Sequence, residues 1–169
     1  MLYPANMQEF VEYGLLGIAM SRYSGCWSAF KVTSETAEST GVVDLSRESR
    51  KILIPTDDDF EMPEGGVHIR LNDVWRDQDF RLQRYKLFAA LAFAKKNNID
   101  RIVMDSKKSR FGIITSGKSY GDVRQALFEL GIDEKVAEKI GLRLFKVGMP
   151  WPLEPEGIRN FCEGLDEIL

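Results

Sequence analysis

The residues with the clearest chemical pattern are Gly112 to Ser119, which match the nucleotide-binding pattern G-x-x-x-x-G-K-S. In a true phosphate-binding loop the strand comes first, and its end delivers the first glycine into a cradle of backbone N–H groups. Here Ile113 and Ile114 lie inside the supposed loop, and two branched apolar residues at that place favour a strand. We therefore predict a strand, a turn and a helix that match the pattern by accident.

Anion binding remains a candidate role for Gly117, Lys118 and Ser119, which lie where the predicted strand ends and a helix begins. The first turn of a helix presents free N–H groups, so these three residues are candidate contacts for a phosphate or a carboxylate. In the alternative, Gly117 makes the turn, Ser119 caps the helix and Lys118 faces water or a neighbouring domain. We favour the alternative, and the anion contact stays a candidate.

Other residue types that carry chemistry are sparse. The one histidine, His68, lies in the apolar segment 65–71 and is interpreted as a residue on a strand face rather than a catalytic base. The three aspartates 57–59 lack the alternating spacing of a calcium loop, so they are interpreted as a solvated turn. Cys26 and Cys162 cannot by themselves hold an iron–sulfur cluster or a four-ligand zinc ion, and we predict no metal site in this chain.

The composition indicates one globular domain, or one domain and a piece of another. The chain has 169 residues, of which 44% are hydrophobic and 29% charged. No apolar run approaches the roughly 20 residues of a membrane span, and no signal peptide is recognised, so a cytoplasmic protein is expected. The net charge of −3 argues against a nucleic-acid partner. The basic run 106–110 is interpreted as a solvated turn.

The first half of the sequence predicts one clear helix. It extends over 6–24, with Asn6 as its N-cap and Gly25 at its end. Beyond it the signals weaken, and residues 46–78 are interpreted as a linker. Segments rich in branched or aromatic residues are candidate strands: 27–32, 51–55 and 65–71.

The second half begins with the strongest periodicity. Residues 79–97 predict a helix whose apolar residues share one buried face: Leu82, Tyr85, Phe88, Ala89, Ala92 and Phe93. Strands are predicted at 101–105 and 111–115. The five residues between them are too few for a parallel crossover, which takes about a dozen, so the two strands must be antiparallel if they pair.

The remaining elements complete an α/β pattern. Helices are predicted over 119–130 and 133–141, a strand over 142–148, a proline-rich irregular stretch over 149–155 and a final helix over 156–169. This order predicts a layered α/β/α fold with a mixed sheet. Because only three strands support four helices, one more strand is expected after the last helix, and the chain is interpreted as a segment of something longer.

Three blocks of the sequence resemble a known family: 14–32, 112–132 and 142–169. They are similar to indolepyruvate:ferredoxin oxidoreductase, in particular to the long, fused bacterial form of this 2-oxoacid:ferredoxin oxidoreductase family. The likeness continues through 59–73 and 101–106 and so covers nearly the whole chain. Taken singly the motifs are modest, but their order and spacing are specific.

The resemblance implies a domain organisation. Residues 1–45 would be the closing elements of a thiamine pyrimidine-binding domain and 46–78 a linker. Residues 79–169 would be a transketolase C-terminal-like domain, truncated at its C-terminal end. In that domain the first strand is antiparallel to the others, which agrees with the short connection after 101–105.

The resemblance also implies an activity for a parent enzyme. Members of the family oxidatively decarboxylate arylpyruvates or other 2-oxoacids to acyl-CoA, with thiamine diphosphate, Mg²⁺, [4Fe–4S] clusters and CoA, and pass two electrons to ferredoxin. The family's activating glutamate, its diphosphate–magnesium motif and its cysteine-rich motifs have no counterpart here, and Glu35 and Glu38 are not assigned the glutamate's role. We therefore assign no catalytic residue and no cofactor to this chain.

Two functions are carried forward. In the first, the chain is a scaffold and interface domain, inactive alone, whose partners are the remaining domains of a homo-oligomeric parent. In the second, it is a free-standing module that binds a small ligand or a nucleotide phosphate at the turn 116–119.

Overall fold

The computed structural model describes residues 1–46 and 51–169, so residues 47–50 of the predicted linker lie outside the described part. Within the described residues, no helix is long and apolar enough to cross a membrane. The helices are α1 (Met7–Ser24), α2 (Ser34–Ala37), α3 (Trp75–Arg81), α4 (Leu87–Lys96), α5 (Gly117–Glu129), α6 (Glu134–Ile140) and α7 (Pro155–Cys162). The strands are β1 (Arg101–Met104), β2 (Phe111–Ser116), β3 (Leu142–Val147) and β4 (Glu167–Ile168).

Helix α1 begins and ends where the sequence predicts. The side chain of Asn6 accepts a hydrogen bond from the backbone N–H of Glu9, which satisfies one of the free donors of the first turn. Gly25 adopts a left-handed conformation with φ 69° and closes the last turn, because its N–H donates to the carbonyl of Ser21. Both caps are local, which explains why the sequence alone locates them.

The long helix of the second half starts earlier than predicted, at Trp75, and is interrupted by a π-helical turn over Leu82–Lys86. The wider turn changes the angular spacing of the side chains that follow it. As a result the predicted apolar face is only partly right. Ala89 and Phe93 are buried, whereas the side chain of Phe88 is 52% exposed.

The sheet has the order β1-β3-β2-β4, so β1 and β2 do not pair with each other. Strand β3 lies between them, antiparallel to β1 and parallel to β2. The predicted antiparallel relation is therefore correct, but a hairpin is not formed. Strands β1 and β2 are thus two strand spacings apart, which is roughly 10 Å. The connection between them can span this distance, because an extended chain covers about 3.3 Å per residue.

The end of the chain differs from the predicted single helix. Helix α7 stops at Cys162, because Glu163 leaves the helical region and Gly164 takes a positive φ of 75°. Residues Glu167–Ile168 then form β4, which is parallel to β2. The sheet thus has four strands, and the prediction of a mixed α/β sheet whose first strand is antiparallel is confirmed.

Three candidate strands of the first half do not form. Segment 27–32 makes a single parallel bridge, between Phe30 and Leu2. In segment 51–55, Leu53 exchanges backbone hydrogen bonds with the side chain of Asn97 rather than with a strand. Segment 65–71 turns instead, and His68 is exposed outside any strand. β-branched composition favours an extended chain, but a strand also needs a neighbouring backbone to pair with.

Strand β3 carries the core on both faces of the sheet. Leu142 and Leu144 pack with residues of α5 and α6 on one face. Phe145 and Val147 pack against Phe161 of α7 on the other. The predicted α/β/α layering is therefore confirmed. A third cluster joins α1 to α4 and includes Leu2, Tyr13, Leu16, Met20, Phe93, Ile99 and Met149.

Gly148, directly after β3, sets how closely α1 approaches the sheet. A Cβ at this position would overlap the hydroxyl of Tyr13 and the carbonyl of Ile99. Gly148→Ala is therefore expected to lower the free energy of unfolding by about 1–3 kcal/mol, as overpacking does. Urea unfolding followed by circular dichroism measures the change.

Gly121 provides the matched control, because it lies inside α5 and a Cβ there would meet nothing within 4 Å. Gly121→Ala is expected to raise the free energy of unfolding by about 0.5–1 kcal/mol through helix propensity. A Gly148→Ala chain as stable as the Gly121→Ala chain would show that the helix does not pack against Gly148 as described.

Candidate functional site

The two glycines of the G-x-x-x-x-G-K-S pattern each make room for an aromatic ring. A Cβ at Gly112, inside β2, would overlap the ring of Phe161 from α7. A Cβ at Gly117 would overlap the ring of Tyr3, and Gly117 also has a positive φ of 52°. Ile113 and Ile114 pair with residues of β3. The predicted strand, turn and helix are confirmed, and packing accounts for both glycines.

The turn at Gly117 differs in one detail from the sequence prediction. Helix α5 starts at Gly117, two residues earlier than expected, and its N-cap position is Ser116, whose side chain makes no capping hydrogen bond. Ser119 therefore lies inside the first helical turn and is not the cap. The ring of Tyr3 covers one side of this turn, so the approach of a ligand to Gly117 is limited to the other side.

Lys118 is half-exposed and already has an anionic partner. Its Nζ lies 3.0 Å from a carboxylate oxygen of Asp122, one helical turn further along α5. This hydrogen bond is the main reason that the pKa of Lys118 lies above its usual value, and Glu35 adds a smaller effect. Lys118 also lines an open cavity of about 410 Å³ beside the first turn of α1 and residues 35–42.

The cavity beside Lys118 is the place where the predicted anion contact would have to form. Among the described residues that line it, Lys118 is the one cation, and Glu35 contributes a carboxylate. An incoming phosphate would compete with Asp122 for the ammonium group and would be repelled by Glu35. The contact through Gly117, Lys118 and Ser119 stays a prediction.

The most strongly buried charges lie elsewhere, between α1 and the sheet. The ammonium group of Lys146, near the C-terminal end of β3, is fully buried and donates a hydrogen bond to Glu9 of α1. The other carboxylate oxygen of Glu9 accepts from the backbone N–H of Ala5 at 2.8 Å. Arg101 of β1 lies 3.6 Å from the carboxylate of Glu9. We refer to Glu9 and Lys146 together as the Glu9–Lys146 pair.

Two tyrosine rings enclose the Glu9–Lys146 pair. The ring centroid of Tyr120 lies 4.5 Å from Nζ of Lys146, and that of Tyr13 lies 5.8 Å away. Rings at such distances stabilise a cation through their negative faces. Burial nevertheless lowers the pKa of Lys146, and the nearby carboxylate of Glu9 opposes that shift. The arrangement holds two opposite charges away from water, which is a structural role.

Sequence reasoning did not identify the Glu9–Lys146 pair. The available signal was a lysine in the otherwise apolar run 144–148. A lysine at such a position needs a carboxylate that the fold brings to it, since an isolated buried ammonium group is strongly unfavourable. The sequence separation of 137 residues left the identity of that carboxylate undetermined.

A second acidic position lies just beyond the C-terminal end of β3, next to Gly148, two residues after Lys146. Asp100 accepts hydrogen bonds from the backbone N–H groups of Gly148 and Met149 at 2.7 and 2.9 Å. Burial raises its pKa, although these two bonds act in the other direction. Glu154 caps α7 by accepting from Glu156 and Gly157. Both carboxylates border a cavity of about 190 Å³. Oδ1 of Asp100 accepts both backbone hydrogen bonds, whereas its buried Oδ2 has no partner among the described residues.

The other candidates from the sequence do not assemble into a site. Asp59 accepts from Thr56 and pairs with Lys96, which makes it part of a turn. Cys26 and Cys162 are free thiols. Among residues 1–46 and 51–169, no group of three histidine, cysteine, aspartate or glutamate side chains is placed to hold a metal ion.

The buried hydroxyl of Tyr13 makes stability depend on alkaline pH. This hydroxyl is buried, and burial raises its pKa above its usual value, while the neighbouring Arg101 acts in the other direction. The folded state therefore keeps the proton while the unfolded chain releases it. The stabilisation is complete below pH 10 and is lost as the pH rises above 10, at up to about 1.4 kcal/mol per pH unit.

Tyr13→Phe is expected to remove this component of the pH dependence. Urea unfolding at pH 7, 10 and 11 should show a smaller alkaline decrease for Tyr13→Phe than for the wild type, with Tyr85→Phe, at a partly exposed position, as the control. Equal alkaline decreases in the wild type and Tyr13→Phe would contradict the burial of this hydroxyl.

Comparison with known proteins gives two results. Residues 100–169 match the family described as the indolepyruvate ferredoxin oxidoreductase middle domain. Among solved structures, the chain is similar to 2-oxoglutarate:ferredoxin oxidoreductase from Magnetococcus marinus, a structure with 2-oxoglutarate, coenzyme A and succinyl-CoA bound, at 18% identity and a TM-score of 0.42. The likeness covers 64% of this chain and only 17% of that one.

Curated protein sequences give no match. The matched region is less than half of the chain, but it contains all four strands and α5 to α7. It also includes two of the three blocks on which the sequence resemblance was based, 112–132 and 142–169, whereas block 14–32 lies outside it. The predicted resemblance is thereby confirmed for residues 100–169, which match a domain of the 2-oxoacid:ferredoxin oxidoreductase family.

Proposed function

We propose that this chain is part of a thiamine diphosphate-dependent indolepyruvate:ferredoxin oxidoreductase, in which it serves as a scaffold and interface domain. The parent enzyme would convert an arylpyruvate and CoA into acyl-CoA and CO₂, and two ferredoxins would each accept one electron. The observation that carries this proposal is the match of residues 100–169 to the middle domain of that enzyme family.

The scaffold role is supported by the contacts of charged side chains, which bind other groups of the same chain. Lys146 is occupied by Glu9, Lys118 by Asp122, and Glu154 by the first turn of α7. Groups engaged in this way position elements of the fold. The chain by itself is therefore proposed to be inactive.

The family's cofactors are proposed for the parent enzyme. A [4Fe–4S] cluster needs four cysteine thiolates, and the two cysteines of this chain do not fit that requirement. No set of described side chains fits a metal ion either, which leaves the magnesium that accompanies thiamine diphosphate to another part of the parent. When bound, thiamine diphosphate supplies carbanion stabilisation and the iron–sulfur clusters supply electron transfer.

The partners follow from the same proposal. They are the remaining domains of the parent chain, together with ferredoxin as electron acceptor, in a homo-oligomeric cytoplasmic enzyme. Exposed apolar side chains support an interface role, because contiguous apolar surface is typical of regions that contact other proteins. The indole ring of Trp151, in the proline-rich stretch after β3, is 66% exposed.

An antibody raised against this chain tests the proposal in source cells. We expect it to detect a polypeptide several-fold larger than 19.3 kDa. The protein isolated with that antibody should reduce ferredoxin when indolepyruvate, thiamine diphosphate and CoA are all supplied. The recombinant chain alone, assayed in parallel, should not.

Two results would contradict the proposal. One is a native polypeptide of 19.3 kDa, which would favour a free-standing protein. The other is turnover of indolepyruvate by the recombinant chain without any other polypeptide. Ferredoxin reduction with 2-oxoglutarate but not with indolepyruvate would support the proposed family and show that indolepyruvate is not the substrate.

The alternative function is a small-ligand module that uses the turn 116–119. The cavity of about 410 Å³ beside Lys118 is the observation in its favour. Titration calorimetry with MgATP and with CoA tests it, and Lys118→Ala is the informative variant. Because Asp122 and Glu35 already surround the ammonium group, we expect no heat of binding at millimolar ligand. Binding that is lost in Lys118→Ala would establish the alternative.

A further inference from the structure

The hydrophobic clusters define two layers, each with its own apolar core. One layer contains Leu2, α1 and α4, and the other contains the sheet with α5 to α7. The two clusters on the faces of the sheet contain no residue before Val103. The third cluster is built from Leu2, α1 and α4, to which only Ile99 and Met149 are added from the vicinity of the strands. The sheet with α5 to α7 thus has an apolar core on both of its faces without any contribution from α1.

Polar contacts also join the two layers. The backbone N–H of Tyr3 donates to the carbonyl of Gly148 at 2.9 Å, and the exposed ion pair of Lys95 and Glu156 joins α4 to α7. Arg101 lies 3.6 Å from Glu9, at the edge of the Glu9–Lys146 pair. Lys146 is therefore the position at which α1 covers a charge of the central strand.

We propose that α1 and α4 open together as one local unit while β1 to β4 and α5 to α7 stay folded, and that the Glu9–Lys146 pair sets how often this occurs. The physical reason is the environment of the two charges. Docking of α1 removes both charges from water, and this loss of hydration offsets much of their mutual attraction. Opening returns both charges to water, so the pair favours docking less than an apolar contact of the same size would.

The proposal predicts a smaller effect for the double substitution than for the single one. Lys146→Met leaves the carboxylate of Glu9 buried without its main partner, which disfavours docking. Glu9→Met combined with Lys146→Met removes the unpaired buried charge, although it also removes the acceptor for the backbone N–H of Ala5 and the carboxylate beside Arg101. The groups that face this position from the other elements are unchanged in both variants: Tyr13 and Glu12 of α1, Arg101 of β1 and Tyr120 of α5.

Native-state hydrogen exchange of the full chain, read by mass spectrometry, is the experiment. In the wild type, amides of 7–24 and 87–96 should exchange at least tenfold faster than amides of β3 and α5, relative to their intrinsic rates. Lys146→Met should accelerate exchange in 7–24 by a further tenfold or more and leave β3 and α5 within twofold. The double variant should exchange in 7–24 at least fivefold more slowly than Lys146→Met.

Lys118→Met is the matched control, because it removes a lysine charge from an exposed ion pair with Asp122 and leaves α1 untouched. It should change exchange in 7–24 by less than twofold. Equal protection of α1 and β3 in the wild type would overturn the proposal without any variant. Equal acceleration of both layers by Lys146→Met, or failure of that variant to fold, would show one cooperative unit and would also overturn it.

Discussion

The constraint on which the rest of the structure depends is the burial of strand β3. It has a strand on each side and helices on both faces, yet one of its residues is a lysine. An unpaired ammonium group at that position would be strongly unfavourable, so the fold must supply a carboxylate. Glu9 of α1 does so, and this requirement fixes where α1 lies against the sheet. Removing one partner of such a pair costs about 3–5 kcal/mol.

The close approach of α1 depends on small residues as well as on charge. Gly148 leaves space for the hydroxyl of Tyr13, and Gly117 leaves space for the ring of Tyr3. The turn that resembles a phosphate-binding loop is thus part of the surface on which the N-terminal segment packs. Glycine next to a backbone turn serves either a ligand or a neighbouring side chain, and here an aromatic ring occupies the space beside Gly117.

In contrast to β3, the helical segment 75–86, which precedes the sheet, is poorly buried. None of the residues 75–86 is buried, and Trp75 is 74% exposed. A helix without a buried face gains little from packing within its own chain. An interface with another domain would give these apolar residues a partner, which agrees with the scaffold role that we propose.

Local rules determined much of this fold from the sequence alone. The caps of α1 at Asn6 and Gly25, the end of α6 at Gly141 and the strands β1 to β3 follow from side-chain chemistry and periodicity within a few residues. The family resemblance also came from the sequence. The short connection after β1 predicted that β1 and β2 would be antiparallel if they paired, because it is too short for a parallel crossover. They are antiparallel, but β3 lies between them.

Tertiary structure alone decided the rest. The insertion of β3 between β1 and β2, and the pairing of β4 with β2, depend on backbones that meet only in the folded chain. Segment 27–32 has the composition of a strand, but within the described residues it forms a single bridge, between Phe30 and Leu2. The partner of Lys146 is 137 residues away, and a pattern confined to a few neighbouring residues contains no information on a contact made across the core.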